Sequence, residues 1–404
     1  MEDKQNIIVF NIKKSAVKFI LLFGIVSAFG DITYEGARSV YGPFLGYLGA
    51  SAMIVGLISG IGEFLGYILR LASGYFVDRT QKYWLVTILG YGLLISVPLL
   101  AIAGRWEVAA LFIILERTGK AIRSPGKDAM LSHATKQVGT GLGFGIHEAL
   151  DQLGAVLGPL IFTAALTATG GYSLGFSVMW LPALITIIVI LIVRMKFPEP
   201  RKMFEDTSVQ IQSATISAKP FSQTFWYYSL FTFISVLGFA NFPIIAYHLK
   251  VQGVIPEAQI PTLYALAMAI DAVVALVIGK TYDKIGLLSL ISIPILTLPI
   301  AFLGFSSNAP SVIVGVILWG AVMGIHETIM RAAIADITDS SQRGKAYGIF
   351  NTLYGFALLI GSSAMGFLYD ISIASVYLFI LAAELLAFFA YFYLRKTPGK
   401  SQSK

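Results

Sequence analysis

The chain has 404 residues, of which 56% are hydrophobic and only 13% are charged. This composition excludes a water-soluble globular protein, because apolar runs long enough to cross a bilayer recur along the whole chain. The net charge of +7 does not indicate a nucleic-acid partner, since in a membrane protein the positions of Lys and Arg matter more than their sum. The lack of cysteine excludes disulfides and thiolate metal sites, and we expect neither a metal nor a cofactor.

Twelve apolar segments follow one another along the chain, each near the ~20 residues that span a bilayer as an α-helix. They lie near residues 16–43, 51–75, 83–103, 107–124, 141–167, 173–195, 224–248, 258–280, 287–305, 309–333, 345–368 and 372–394. The sequence therefore predicts an all-α membrane protein with twelve transmembrane helices. The predicted divisions are a six-helix bundle over residues 1–196, a polar cytoplasmic linker over 197–222 and a second six-helix bundle over 223–404.

The loops on one side of the predicted helices carry nearly all of the loop Lys and Arg residues. Only Arg105 and Lys250 fall in loops on the opposite side. Basic loops stay in the cytoplasm when a membrane protein inserts. We therefore predict a multi-pass protein of the plasma membrane with both termini in the cytoplasm.

A short motif occurs once in each half of the chain. It reads GYFVDRTQK from Gly74 and returns as GKTYDKIG from Gly279, 205 positions later. A small residue at the end of a membrane helix permits close packing, and an Asp-Arg pair beyond it can form an ion pair that opens and closes. Two copies of such a latch predict two bodies that move. The expected gating residues, including matching arginines in the fourth and tenth segments, are Gly74, Asp78, Arg79, Lys82, Arg123, Gly279, Asp283 and Arg331.

The motif GYFVDRTQK resembles the signature that the major facilitator superfamily carries between its second and third helices. The fifth segment holds a second resemblance, the GxxxGP motif of Gly154, Gly158 and Pro159, which in that superfamily is associated with antiporters. The resemblance covers essentially the whole chain and implies the major facilitator fold, two pseudo-symmetric six-helix bundles. It also implies a monomeric secondary transporter that works by alternating access, with its substrate site near the membrane midplane. The fourth segment departs from the superfamily pattern, since Arg117 stands only two residues before Gly119.

Several charged residues fall inside the predicted segments, where each costs ~2.5 to 3.5 kcal/mol unless it has a partner or a water-filled cavity. Asp31, Glu35 and Arg38 are spaced four and three apart, which places them on one face of the first helix. If Arg38 pairs with Glu35, Asp31 is left to take up and release a proton. For every such residue the alternative is a structural ion pair that fixes helix packing. The candidates for substrate or proton binding are Asp31, Glu35, Arg38, Glu116, Arg117, His147, Glu148, Asp151, Asp271 and Glu327.

These patterns favour a transporter over other membrane proteins. No nucleophile constellation supports an enzyme, no soluble domain beyond the linker supports a sensor, and the lack of an ATP-binding motif means that pumping must draw on an ion gradient. The first hypothesis is proton-coupled efflux of a small hydrophobic or cationic compound. The alternative is uptake or exchange of an organic anion, for which the candidate ligands are Arg38, Arg117, Lys120 and Arg123. The expected partners are a small-molecule substrate, protons or another coupling ion, and the lipid bilayer.

Overall fold

The computed structural model describes residues 2–204, 220–339 and 342–396, which form helices, turns and loops. Each of the twelve predicted segments is helical, so the predicted all-α fold is confirmed. The long helices of the first half are α1 (Glu2–Arg38), α2 (Ala52–Thr80), α3 (Tyr83–Ile102), α4 (Trp106–Thr135), α5 (Thr140–Thr169) and α6 (Tyr172–Lys196). Those of the second half are α7 (Gln223–Val251), α8 (Ile260–Ile285), α9 (Ser292–Gly304), α10 (Ala309–Ile337), α11 (Arg343–Ile371) and α12 (Ile373–Lys396).

Ten stretches of the described chain are long and apolar enough to cross a membrane by length and composition. Residues 257–304 count as one of them although they contain both α8 and α9. The helix α4 is not among the ten, because charged residues such as Arg117, Lys120 and Arg123 lower its hydropathy. Of the long helices in the first half, α4 is thus the most polar, and it is also one on which the sequence predicts substrate-binding residues.

The structure divides into two compact units that do not coincide with the two halves of the repeat. The first unit contains residues 2–38, 69–103 and 111–204. The second contains residues 39–68 and 104–110 together with the described residues from 220 onward. The predicted bundles over 1–196 and 223–404 therefore remain a prediction that rests on the repeat.

Aromatic side chains from the predicted linker complete the core of the first unit. Phe197 and Phe204 are buried, with ring centroids 5.2 and 5.5 Å from that of Phe19 in α1. The Trp84 indole of α3 donates to the carbonyl oxygen of Phe197 at 3.1 Å. Residues 197–204, which include the short helix Pro200–Phe204, thus belong to a folded unit rather than to a free polar linker. The predicted linker residues 205–219 lie outside the described part of the chain.

The core of the second unit forms around Trp319 of α10, which is 1% exposed. Its ring centroid lies 5.7 Å from that of Phe239 and 5.3 Å from that of Phe242. Its indole N–H donates to the carbonyl oxygen of Ala240 at 2.8 Å. Because α7 is interrupted between Gly238 and Phe242, that carbonyl has no partner in a helix, and the buried indole satisfies it.

In the second unit, residues 39–68 pack on α7 and α11 through glycines. A Cβ atom on Gly56 would overlap the carbonyl oxygen of Ser362, and one on Gly60 would lie 2.9 Å from that of Leu359. Only a residue without a side chain lets two helix backbones approach this closely. We call this contact the glycine seam. Its glycines are Gly42, Gly46, Gly56, Gly60 and Gly366.

A carboxylate caps the helix start beside the glycine seam. The two oxygens of Asp370, in α11, accept hydrogen bonds from the backbone N–H groups of Ala52 at 3.1 Å and Met53 at 3.0 Å. These N–H groups lie in the first turn of α2 and therefore have no acceptor within that helix. The negative charge also matches the positive end of the helix dipole, so the contact stabilises the seam.

Candidate functional site

The helix α1 buries a run of polar side chains. Asp31, Tyr34, Glu35 and Arg38 are each at most 8% exposed. Their spacing places them along one side of the helix, as the sequence predicts. Side chains from α4 and α5 meet them there.

Glu35 is held between two cations. Its Oε1 lies 3.5 Å from the Nζ of Lys120 in α4, and its Oε2 lies 3.7 Å from the Nη1 of Arg38. The pairing of Arg38 with Glu35, which the sequence leaves open, is therefore present, and Lys120 adds a second partner. The Lys120 side chain remains 32% exposed, whereas the Glu35 side chain is 7% exposed. Lys120 is thus the member of this group that reaches solvent.

The Tyr34 ring is surrounded by positive charge. The Lys120 Nζ lies 3.8 Å from its centroid, and the guanidinium carbons of Arg117 and Arg38 lie at 5.0 and 5.8 Å. Arg117 also donates a hydrogen bond to the Tyr34 hydroxyl. An aromatic face attracts cations, so this tyrosine holds three of them in one place. Arg117 lies beside Glu116 as well, with 3.9 Å between its Nε and the carboxylate Oε2.

Arg123, which the sequence assigns to the gating set, is buried under α3. Its guanidinium carbon lies 4.5 Å from the centroid of Tyr91, and the residue is 4% exposed. The helices pack closely around it, since a Cβ atom on Gly90 would lie 2.6 Å from the Cβ of Arg123. Sequence reasoning missed Tyr91 as a partner, because no spacing relates a residue of α3 to one of α4.

The GxxxGP motif of α5 lies where this helix crosses α1. A Cβ atom on Gly154 would overlap the carbonyl oxygen of Ala28, and one on Gly158 would overlap that of Ile32. Pro159 follows within the same helix without ending it. The motif therefore brings the backbone of α5 against the part of α1 that carries Asp31.

Two polar contacts join the flanks of these crossing helices. The Ser27 hydroxyl lies 3.4 Å from the Nε2 of His147, which is 4% exposed. One turn further along both helices, Asp151 lies opposite Asp31, and the two carboxyl groups interact electrostatically. Seven of the ten predicted binding residues thus gather in one cluster of the first unit. They are Asp31, Glu35, Arg38, Glu116, Arg117, His147 and Asp151.

Three predicted binding residues lie elsewhere. Glu148 is exposed on α5, and Glu327 is exposed on α10. Asp271 of α8 is 3% exposed and packs against α10, where a Cβ atom on Gly324 would lie 2.9 Å from its Oδ1. Asp271 and Glu327 belong to the second unit, so the cluster of the first unit forms without them.

The first latch lies exposed at the end of α2. The carbonyl oxygen of Asp78 accepts a hydrogen bond from the Gln81 side chain at 2.8 Å, and the Arg79 guanidinium lies 5.5 Å from the ring of Tyr75. Within the part of the chain that the structure describes, the Asp78 carboxylate forms no ion pair. A Cβ atom on Gly74 would meet nothing closer than 3.8 Å, so the expected close packing is absent there. Lys82, also exposed, precedes α3.

The second latch has a different local structure. Gly279 has room for a Cβ atom, whose nearest neighbour would be a methyl group of Thr328 at 3.5 Å. Asp283 is exposed at the end of α8, and Arg331 is exposed on α10. Between these two helices the Tyr282 hydroxyl donates to Asp336 at 2.8 Å. This hydrogen bond, which the motif did not predict, joins α8 to α10 beside the latch.

Three features together define a multi-pass membrane transporter rather than an enzyme. They are the number of long apolar helices, the cluster of charges buried among α1, α4 and α5, and the helix-end motif that occurs in each half of the chain. The family model described as the Major Facilitator Superfamily matches residues 20–330 and 229–404. The chain belongs to this superfamily, as its signature motifs predicted.

The chain also matches relatives over nearly its whole length and shares its fold with solved transporter structures. An uncharacterized protein of Mycobacterium tuberculosis is 40% identical over 385 residues, which cover 94% of each chain. An uncharacterized MFS-type transporter of Methanocaldococcus jannaschii is 29% identical, covering 90% of this chain and 91% of its own. A bacterial homolog of the human lysosomal transporter Spinster has a TM-score of 0.73 at 14% identity, covering 94% and 98%. The nucleoside transporter NupG has a TM-score of 0.71 at 13% identity, covering 94% and 100%.

Proposed function

We propose that this transporter exchanges protons for a small organic compound and so moves that compound out of the cell across the plasma membrane. The observation that carries the proposal is the buried cluster of carboxyl and basic groups on α1, α4 and α5. Such groups are rare at membrane depth and mark ion or substrate pathways. A carboxyl group in an apolar cavity changes its protonation state when its surroundings change, which is what coupling to a proton gradient requires.

The exported compound is hydrophobic or cationic in this proposal. Asp31, Glu116 and Asp151 supply negative charge that a cationic compound meets when protons leave. The GxxxGP motif supports exchange rather than uptake, because it brings α5 against α1 beside Asp31 and because its family association is with antiporters.

Alternating access by a monomer is the proposed mode of transport. The glycine seam supports it, since the seam joins Gly56, in the first half of the repeat, to α11 in the second half. A contact between the halves must separate when access changes from one side of the membrane to the other. With both termini in the cytoplasm, the seam lies toward the outside and the latch of Asp78 and Arg79 toward the inside. The exposed Asp78 carboxylate is consistent with a latch that closes in the other conformation.

The test is gradient-driven transport by purified protein in proteoliposomes, with ethidium as the cationic probe. We expect an acidic lumen to drive ethidium accumulation through molecules whose cytoplasmic side faces outward, and a proton-exchanging ionophore to abolish it. Protein-free vesicles provide the control. Ethidium movement at the same rate with and without the pH gradient would exclude proton coupling.

Exchange of an organic anion is the second candidate, because Lys120, Arg117 and Arg38 converge on the ring of Tyr34. Such a group of cations suits a carboxylate or phosphate. The Lys120→Gln variant separates the two candidates, since it removes the most exposed of the three cations. Anion exchange predicts that this variant loses carboxyfluorescein exchange, whereas cation efflux predicts that ethidium accumulation still responds to the pH gradient, since Lys127 remains beside the carboxyl groups.

A further inference from the structure

Two aspartates from different helices meet in the first unit, at the position where the sequence predicts a single proton carrier. Ser27 and His147 are 120 residues apart and in contact, at 3.4 Å. Asp31 and Asp151 are also 120 residues apart, each four residues after a member of the first pair. Residues four apart on a helix share a face, so the first contact places the two carboxyl groups opposite each other. The electrostatic interaction between the two carboxyl groups agrees with this placement, which brings them within reach of a hydrogen bond.

A hydrogen bond between two carboxyl groups needs one proton. An ionised carboxylate only accepts hydrogen bonds, so one group must carry the proton and donate it to the other. The crossing of α1 and α5 at Gly154 keeps the groups within reach, because the helix backbones touch there.

Charged groups from α4 face the aspartate pair. Around Asp31 these are Lys120 and Arg123, with Glu35 on its own helix. Asp151 faces Lys127 and Lys120 from α4, with His147 on its own helix. With one proton shared, the pair carries one negative charge beside these cations, and without the proton it carries two.

We propose that Asp31 and Asp151 share one proton and together form the proton carrier, so that neither is the carrier alone. Release breaks the O–H bond of one carboxyl and the hydrogen bond to the other, and the proton passes to water. The two carboxylates then repel each other and are attracted to Lys120 and Lys127, so the two side chains exchange their mutual contact for contacts with α4. Uptake of a proton reverses these changes. The use of the pair in transport rests on the proposed function, whereas the shared proton does not.

Infrared difference spectroscopy of the purified protein detects protonated carboxyl groups without a substrate. At neutral pH we expect a wild-type band that Asp31→Asn and Asp151→Asn each abolish, with no further loss in the double variant. Each amide can donate an N–H bond to the remaining carboxylate, which then needs no proton. The matched control is Glu107→Gln, since this acid is exposed on α4 beside Arg105, and it should leave the band unchanged.

Separate carboxyl groups would give a different result. If only one single variant loses the band, or if the double variant loses the sum of two distinct bands, the shared proton is excluded. Where an Asn variant does not yield folded protein, Asp151→Glu serves instead. A shared proton then shifts the band of Asp31, and an unchanged band contradicts the proposal. The transport assay separates the two proposals. If transport by the wild-type protein does not depend on a pH gradient, proton-coupled export is excluded whatever the spectra show.

Discussion

The charged cluster of the first unit and the glycine seam of the second unit hold helices together in opposite ways. In the cluster, Glu35, Lys120 and Arg38 interact through side chains at 3.5 and 3.7 Å. In the seam, Gly56 and Gly366 have no side chains and let backbones touch. The cluster can therefore be rearranged by moving a proton or a charged compound, whereas the contact of the seam depends only on how closely the two backbones approach.

This difference assigns separate tasks to the two regions. Electrostatic contacts respond to protonation because their energy changes with every charge gained or lost. Backbone contacts at glycine do not respond to charge, and in the proposed alternating access they are either closed or separated. We therefore expect substitutions in the cluster to change how transport depends on pH, and substitutions in the seam to change which state is populated.

The largest expected effect breaks the cluster. Asp31→Asn should abolish gradient-driven transport and still permit downhill exchange, because the proton carrier is lost while the helices keep their positions. Transport with and without a pH gradient and the thermal stability of the same protein are measured together, with Glu107→Gln as the control. A destabilised Asp31→Asn protein with a normal pH profile would show that these charges only hold helices together.

The next prediction breaks the seam. Gly56→Leu places a side chain where a Cβ atom already overlaps the carbonyl oxygen of Ser362. Overpacking typically destabilises by ~1 to 3 kcal/mol and occasionally more, so we expect a lower melting temperature in detergent and slower transport with an unchanged pH profile. Gly66→Leu is the matched control on the same helix, since Gly66 has nothing within 4 Å of its Cβ position. Equal effects of the two substitutions would contradict the role of the seam.

A third prediction concerns the latch, which this structure shows exposed. Asp78→Asn should impair transport and leave the protein inserted and folded, because Arg79 and nearby basic groups need that charge in one conformation only. Losing one such contact shifts the balance of two states by ~1 to 3 kcal/mol, or roughly five- to 150-fold. Cysteine probes introduced on both sides of the membrane report the shift, since the natural chain contains no cysteine. Unchanged accessibility and unchanged transport would mean that the motif contributes only to helix packing.

The matched control for the latch is Gly74→Ala. Because the nearest neighbour of a Cβ atom there lies 3.8 Å away, this substitution should change neither stability nor accessibility. A strong effect would mean that Gly74 packs closely in another conformation.

The helices and the face of each polar residue were predictable, but the partners of each face were not. The sequence pattern located all twelve helices, including α4, whose charges lower its hydropathy, and helical spacing placed Asp31, Glu35 and Arg38 on one side of α1. Periodicity does not say which helix faces that side, so the contact between Asp31 and Asp151 emerged only from the structure. The contact of Phe197 with Phe19 was not predicted either, because Phe197 and Phe204 stand in a polar stretch of the sequence that gives no sign of burial.

The glycine seam was predictable in part, because Gly56, Gly60, Gly66 and Gly74 share one face of α2, which predicts close packing against the other half of the chain. The structure confirms this at Gly56, and only the coordinates show that its partner is Ser362 of α11. At Gly74 the same prediction is wrong, because the structure leaves space there. A glycine in a sequence marks where helices can approach, and the tertiary structure decides where they do.

The smallest expected effect sharpens the comparison, because Asp370 is a charge that serves the seam. Its carboxylate accepts from the N–H groups of Ala52 and Met53, and Asp370→Asn leaves only one oxygen for two donors. Loss of a helix cap typically destabilises by ~0.5 to 2 kcal/mol, so we expect a small fall in melting temperature and no change in the pH dependence of transport. The control is Glu257→Gln, which removes the negative charge 2.7 Å from the Nζ of Lys250, a charge that caps no helix of the seam.

Combining Asp370→Asn with Gly56→Ala decides whether cap and seam act as one contact. If they do, the double variant loses less stability than the sum of the single variants, because the first substitution has already loosened what the second disturbs. Additive losses of stability would mean that Asp370 only caps α2 locally. The seam would then depend on the shape complementarity of its backbones alone.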